Sequence, residues 1–118
     1  MALRGKRVLV VEDESAIASL IEDMLGELGC SAEFAWRAPQ ALEMARTTTA
    51  DLALLDVNIA GEPVFPVARV LRDREVPFVF ATGYGEAGPT PEFQGAPVIA
   101  KPFRLEDLER ALGKASRA

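Results

Sequence analysis

Leu52-Ala53-Leu54-Leu55-Asp56-Val57 is a short apolar run broken by one carboxylate. Apolar positions without alternation predict a strand buried on both faces, as in the middle of a parallel sheet. A lone Asp at the end of such a strand can be a turn residue or a helix cap. Two other strand-like runs end in chemistry that answers it. Val8-Leu9-Val10-Val11 leads into Glu12-Asp13, and Val98-Ile99-Ala100 leads into Lys101-Pro102. Three carboxylates and one amine on strand ends form a site if those strands are parallel neighbours.

The rest of the chain supports that arrangement. Arg7 to Val11 reads as a buried strand, and Ser15 stands where a hydroxyl caps the next helix. Ile17, Leu20, Ile21, Met24, Leu25 and Leu28 recur at helical spacing as a core-facing stripe, with Gly29 at the C-terminal stop. Ser31 to Trp36 alternates, as an edge strand does. Pro39 suits the first turn of a second helix, on which Ala41, Leu42 and Ala45 give a narrow apolar face. Asp51 precedes the central strand. A third helix is expected from Pro63 to Arg74, with Pro63 and Pro66 both in its first turn, before backbone bonding begins. Pro77 and the strand Phe78 to Thr82 follow.

From Gly83 to Pro97 the periodicity fails, because seven of fifteen residues are Gly or Pro. The segment predicts a mobile loop with at most one turn near Pro91 to Phe93. Val98 to Ala100 is the last strand. Leu105, Leu108 and Leu112 then mark one face of a closing helix, Leu105 to Ala115. Strand and helix thus alternate five times, with the fourth helix short or disordered. The fold class is α/β, a doubly wound five-stranded parallel sheet with right-handed crossovers. Ligands of such sheets sit beyond the carboxyl ends of the strands. Glu12, Asp13, Asp56, Thr82 and Lys101 all fall on that rim.

Length and composition narrow the function. At 118 residues the chain is one domain, 1–118. Its net charge is −5 and it has no basic run longer than a dipeptide, which argues against sequence-independent nucleic-acid binding. No apolar run approaches the ~20 residues of a membrane span. The basic Met1–Arg7 segment lacks the apolar stretch of a secretory signal, so a cytoplasmic location is expected. The single Cys30 excludes an internal disulfide and reads as a small buried residue. There is no histidine, which removes histidine general bases and the usual zinc sites.

Three converging carboxylates repel one another and raise their own pKa values. Hard oxygen donors of this kind suit Mg²⁺ or Mn²⁺, with side chains of Asp13 and Asp56, the backbone carbonyl of Asn58, and water as ligands. Asp56 also faces an amine and a hydroxyl. Lys101 and Thr82 can hold phosphoryl oxygens on that carboxylate by charge and hydrogen bond, and Gly83 leaves room and offers an N–H. The chemistry suggested is formation of an aspartyl phosphate.

Glu12-Asp13, Asp56, Thr82 and Lys101-Pro102, in this order and spacing, resemble the receiver domain of two-component response regulators over essentially the whole chain. Phe80-Ala81-Thr82-Gly83-Tyr84-Gly85, with Asp56-Val57-Asn58 and Glu62-Pro63-Val64, resembles the FAT GUY subgroup of those receivers. The resemblance implies a flavodoxin-like sheet of order 2-1-3-4-5 and phosphorylation of Asp56 by a histidine kinase, of HWE or related type. It implies Glu12 and Asp13 as the acidic metal pair and Thr82 and Lys101 as phosphoryl-binding residues. The Lys101-Pro102 peptide is implied to be cis, aiming the amine inward. Many receivers carry Tyr or Phe three residues before the lysine; here that position is Val98. Ordering of the 83–97 loop is the expected replacement for an aromatic switch, and Tyr84 is placed to shield an acyl phosphate from water.

Other classes fit less well. An adaptor independent of phosphorylation would not need the acceptor and its phosphoryl-binding partners. An aspartate-nucleophile phosphatase calls for an acidic residue two positions after the nucleophile, where Asn58 stands. Glu12-Asp13-Glu14-Ser15 would repel a flavin phosphate. The favoured reading is a non-enzymatic phosphoacceptor whose output runs through contacts with a downstream protein; a receiver excised from a larger protein is the alternative.

Overall fold

The computed structural model describes residues 3–83 and 88–117. In chain order, β1 (Arg7–Val11), α1 (Ser15–Glu27), β2 (Ser31–Ala35) and α2 (Ala38–Thr47) precede the central strand β3 (Leu52–Asp56). A two-stranded hairpin, β4 (Asn58–Ile59) and β5 (Glu62–Pro63), leads into α3 (Phe65–Asp73). Then come β6 (Phe78–Thr82), a 3₁₀ turn at Pro91–Phe93, β7 (Val98–Ala100) and α4 (Leu105–Ser116). The five long-range strands are all parallel, in the order β2-β1-β3-β6-β7. With the hairpin set aside, this is the order 2-1-3-4-5.

Side-chain alternation assigns the two faces. Leu9, Val11, Ala53, Leu55, Phe78 and Phe80 point to one core, closed by Ala41 and Ala45 of α2 and by Val67, Ala68 and Leu71 of α3. Val8, Val10, Leu52, Leu54, Val79 and Ala81 point to the other, closed by Ile21 and Leu25 of α1 and Leu108 and Leu112 of α4. Because both faces are covered, every residue of β3 is buried, which is why its sequence does not alternate.

Local details depart from expectation at four places. Ser15 does not cap α1: the N-cap is Glu14, without a side-chain bond, and the Glu14 N–H is instead taken by Glu12 Oε2 at 3.1 Å. Leu20 faces solvent, 52% exposed, while Ile21, Leu25 and Leu28 are buried, so the stripe is narrower than its spacing suggested. Pro63 lies in β5, not in the third helix, which starts at Phe65 and keeps only Pro66 in its first turn. Trp36 lies just beyond β2, stacked on Phe34. At the end of α1, Gly29 adopts φ +79°, and the Cys30 N–H returns to the Leu25 carbonyl at 2.8 Å, a Schellman closure. Cys30 is buried, with its thiol donating to the Leu3 carbonyl.

Between β6 and β7 a three-residue 3₁₀ turn is the helical structure among the described residues. The expected mobility does not suit its tip, which is anchored. Phe93 is 5% exposed and meets Phe65, Phe78 and Phe80 at ring-centroid distances of 5.8, 5.8 and 5.6 Å. Glu92 takes hydrogen bonds from Arg69 Nε and Arg72 Nη1, each at 3.0 Å to Oε2. Phe93→Ala is expected to lower the free energy of unfolding by about 3 kcal/mol, through lost transfer energy and a residual cavity. Urea denaturation checks it; Glu92→Gln, at an exposed ion pair, should cost much less.

Candidate phosphoacceptor and metal site

Parallel pairing brings the carboxyl ends of β1, β3, β6 and β7 to one rim, and each contributes a functional group there. β1 runs on into Glu12, whose N–H bonds the Ala35 carbonyl at 3.1 Å, keeping the acid in line with the sheet. Glu12 is 1% exposed and Asp56 3%, whereas Asp13 is half-buried. One carboxylate oxygen from each of Glu12, Asp13 and Asp56 lies within 4.8 Å of the others. Carboxylate oxygens gathered this closely are the hard donors that Mg²⁺ or Mn²⁺ takes. The donors fit a hard divalent cation.

Lys101 comes from the far side. Its amine reaches past β6 to Asp56 Oδ2 at 2.8 Å and Glu12 Oε1 at 3.5 Å. The Lys101-Pro102 peptide is cis, and the Lys101 N–H donates to the Thr82 carbonyl at 2.7 Å. Thr82, half-buried at the end of β6, pairs with Ala100 and so stands between the strands of Asp56 and Lys101. Gly83 follows, also half-buried. Asn58 sits two residues beyond Asp56, and its N–H donates to Asp56 Oδ1 at 3.2 Å.

Other predicted residues lie elsewhere. Val98 is 44% exposed on β7, away from the acids. Pro102 joins Ile17, Leu20, Ile21 and Phe103 around an apolar hollow of ≈ 250 Å³ that adjoins Lys101. Tyr84 lies outside the described residues. One participant escaped sequence reasoning: the Ala60 N–H at the hairpin turn donates to Asp13 Oδ2 at 3.0 Å. The Ala60-Gly61 pair was a turn signal, but the long reach to Asp13 leaves no mark in sequence.

Electrostatics follow from this crowding. Burial pushes the Glu12 carboxyl up to about 7; the Glu14 N–H opposes the rise, and the charge on Asp56 adds to it. Burial works to lower the Lys101 pKa, but the hydrogen bond to Asp56 and the charges of Asp56 and Glu12 outweigh it, so the net shift is upward. The amine therefore stays charged through the neutral range.

A pH dependence follows for the metal-free protein. Glu12 binds its proton more tightly folded than unfolded, so its contribution to stability is full below about pH 4.5 and is lost as pH rises through about 7. The loss is of order 3 kcal/mol, from the size of the shift. The difference in unfolding free energy between wild type and Glu12→Gln, measured from pH 4.5 to 8 in EDTA, should shift in favour of the glutamine variant as pH rises. A difference independent of pH would contradict the burial argument.

The comparisons agree with this geometry. The family model for the response regulator receiver domain matches residues 8–113. The chain belongs to that family, the phosphoacceptor domains of two-component systems. Among solved structures it is similar to SdrG from Sphingomonas melonis Fr1, at 36% identity and TM-score 0.84, with 100% of each chain covered. It is also similar to the receiver domain of PhyR from Erythrobacter litoralis, at 28% identity and TM-score 0.81, covering 98% of this chain and 92% of that one. A curated relative, the positive alginate biosynthesis regulatory protein of Pseudomonas aeruginosa, is 33% identical over 117 residues, 93% of this chain and 47% of its own. The chain spans about half the length of the curated relatives it matches. No described helix is long and apolar enough to cross a membrane.

Proposed function

We propose that the chain accepts a phosphoryl group on Asp56 from the phosphohistidine of a histidine kinase, in a Mg²⁺-dependent transfer, and that the modified rim changes its contacts with a downstream protein. The observation that carries this reading is the Lys101 amine 2.8 Å from Asp56 Oδ2, beside three carboxylates that converge on one point. In the transfer, an Asp56 oxygen attacks phosphorus, the P–N bond to the donor imidazole breaks, and the imidazole nitrogen keeps the electron pair. Lys101 then moves from the carboxylate to the arriving phosphoryl oxygens, and Thr82 and the Gly83 N–H complete their cradle. Glu12, Asp13, Asp56 and the Asn58 carbonyl would hold Mg²⁺ (or Mn²⁺), which would supply positive charge against the phosphoryl oxygens as two anions approach. The protein positions its own modification and its hydrolysis but turns over no separate substrate, so it is a phosphoacceptor and not an enzyme.

The apolar hollow beside Lys101, with Leu20 52% exposed, suits a kinase helix laid against α1. The Phe80–Gly85 stretch favours the FAT GUY subgroup, an HWE-type kinase as donor and a cytoplasmic setting. With Val98 in place of an aromatic, rearrangement of the segment after Thr82 is the switch this reading requires, with Tyr84 as the shield of the acyl phosphate. Intact mass after incubation with Mg²⁺ and a small phosphodonor, then with a phosphorylated histidine kinase, tests the reading. One phosphoryl adduct that depends on metal supports it. No adduct from either donor, in folded protein, would leave an adaptor that uses the receiver fold without phosphorylation.

A further inference from the structure

The short hairpin after β3 reaches back to the acidic cluster. Its two turn residues, Ala60 and Gly61, both have left-handed backbones, φ 52° and 88°. This is the geometry of a tight two-residue hairpin turn, in which an alanine is unusual. Two bonds account for it. The Asn58 side-chain oxygen Oδ1 accepts the Gly61 N–H at 2.8 Å, closing the turn from inside. The Ala60 N–H, aimed outward by that closure, donates to Asp13 Oδ2 at 3.0 Å across 47 residues of sequence.

We propose that the Asn58 side chain is a positioning residue for the metal site, acting through the hairpin turn on Asp13. The inference rests on the metal reading above and extends it. Asp13 is half-buried on the connection after β1, and no ordered strand holds its carboxylate in place. The Ala60 N–H engages its Oδ2, and one oxygen of the carboxylate so held lies within 4.8 Å of oxygens of Glu12 and Asp56. Partners of this outer kind set ligand orientation and often metal affinity. Asn58 would thereby act twice: on the metal reading its backbone carbonyl is a ligand, and its side chain holds the turn that aims a second ligand. Truncation to alanine removes only the second role.

The test is titration of the whole chain with Mg²⁺ alone, followed by amide NMR, for wild type, Asn58→Ala, Asp13→Ala and Ala60→Gly. Asn58→Ala is expected to weaken Mg²⁺ binding about tenfold, the lower end for loss of an outer-sphere partner. In the metal-free state it should also move the Ala60 amide proton shift in the same direction as Asp13→Ala, as both lose that hydrogen bond. Ala60→Gly keeps the N–H and relieves the left-handed alanine, so it should retain wild-type affinity. Unchanged Mg²⁺ affinity in Asn58→Ala overturns the relay, as does weakened affinity with an unmoved Ala60 amide. A wild-type protein that shows no Mg²⁺ response overturns the metal reading and the relay together.

Discussion

Asp56→Ala is expected to take up no phosphoryl group under conditions in which the wild-type chain is expected to gain one. The effect is all-or-none because no other carboxylate among the described residues is comparably placed. Asp13 is engaged by the Ala60 N–H, and Glu12, 3.5 Å from the Lys101 amine, is the acid whose proton is held up to about pH 7. Among the described residues only Asp56 has the amine at 2.8 Å and lies at the end of a fully buried central strand. Intact-mass spectrometry with either phosphodonor is the measurement. A residual adduct in Asp56→Ala would move the acceptor to another residue. The substitution has a second signature: it removes a like charge that raises the Glu12 pKa, so Glu12 should titrate lower in the variant.

Lys101→Met should have the next largest effect, on stability as well as on transfer. The thioether keeps most of the stem and removes a cation that pairs with both Asp56 and Glu12. Loss of one partner from a buried pair costs about 3–5 kcal/mol, because it strands the other charge. Here Glu12 can take up a proton, so the low end of that range is expected at pH 7.5 without metal. The penalty should shrink toward pH 5 as Glu12 protonates, and shrink again on addition of Mg²⁺, which replaces part of the missing positive charge. Denaturant unfolding at the two pH values, with and without Mg²⁺, reads all three changes. Transfer to Asp56 should slow by about 100-fold or more, the usual cost of one lost electrostatic partner to a developing anion. A variant equally destabilised at both pH values and indifferent to Mg²⁺ would mean that Lys101 contributes packing and not charge.

Much of this protein can be read from local pattern. The unalternating run Leu52–Leu55 announces a strand covered on both faces, and repeated strand–helix alternation then leaves few topologies. The rim residues Glu12, Asp13, Asp56, Thr82 and Lys101 are legible for the same reason, since each stands directly after an apolar run and a parallel sheet gathers such ends on one side. Periodicity, however, reports burial only on average. It placed Leu20 in the core with its helical neighbours, although the hollow beside Lys101 leaves that side of α1 uncovered.

The Gly83–Pro97 stretch makes the same point from the other side. Its composition argued against a full helix, and among its described residues only the Pro91–Phe93 turn is helical, but composition carries no trace of the ring cluster that seats Phe93 or of the Arg69 and Arg72 grip on Glu92. The arginines are 20 or more residues away on α3, the rings of Phe78 and Phe80 stand on β6, and all of them meet only when the crossovers close. The hairpin after Asp56 was hidden for a related reason: two prolines at Pro63 and Pro66 are equally compatible with a helix start, and only Pro66 proved to be in one. Sequence settled which chemical groups stand on the rim, because strand ends are local. How far apart those groups lie, which acid holds its proton, and what aims Asp13 were settled by tertiary packing, because distance, burial and charge depend on residues far away along the chain.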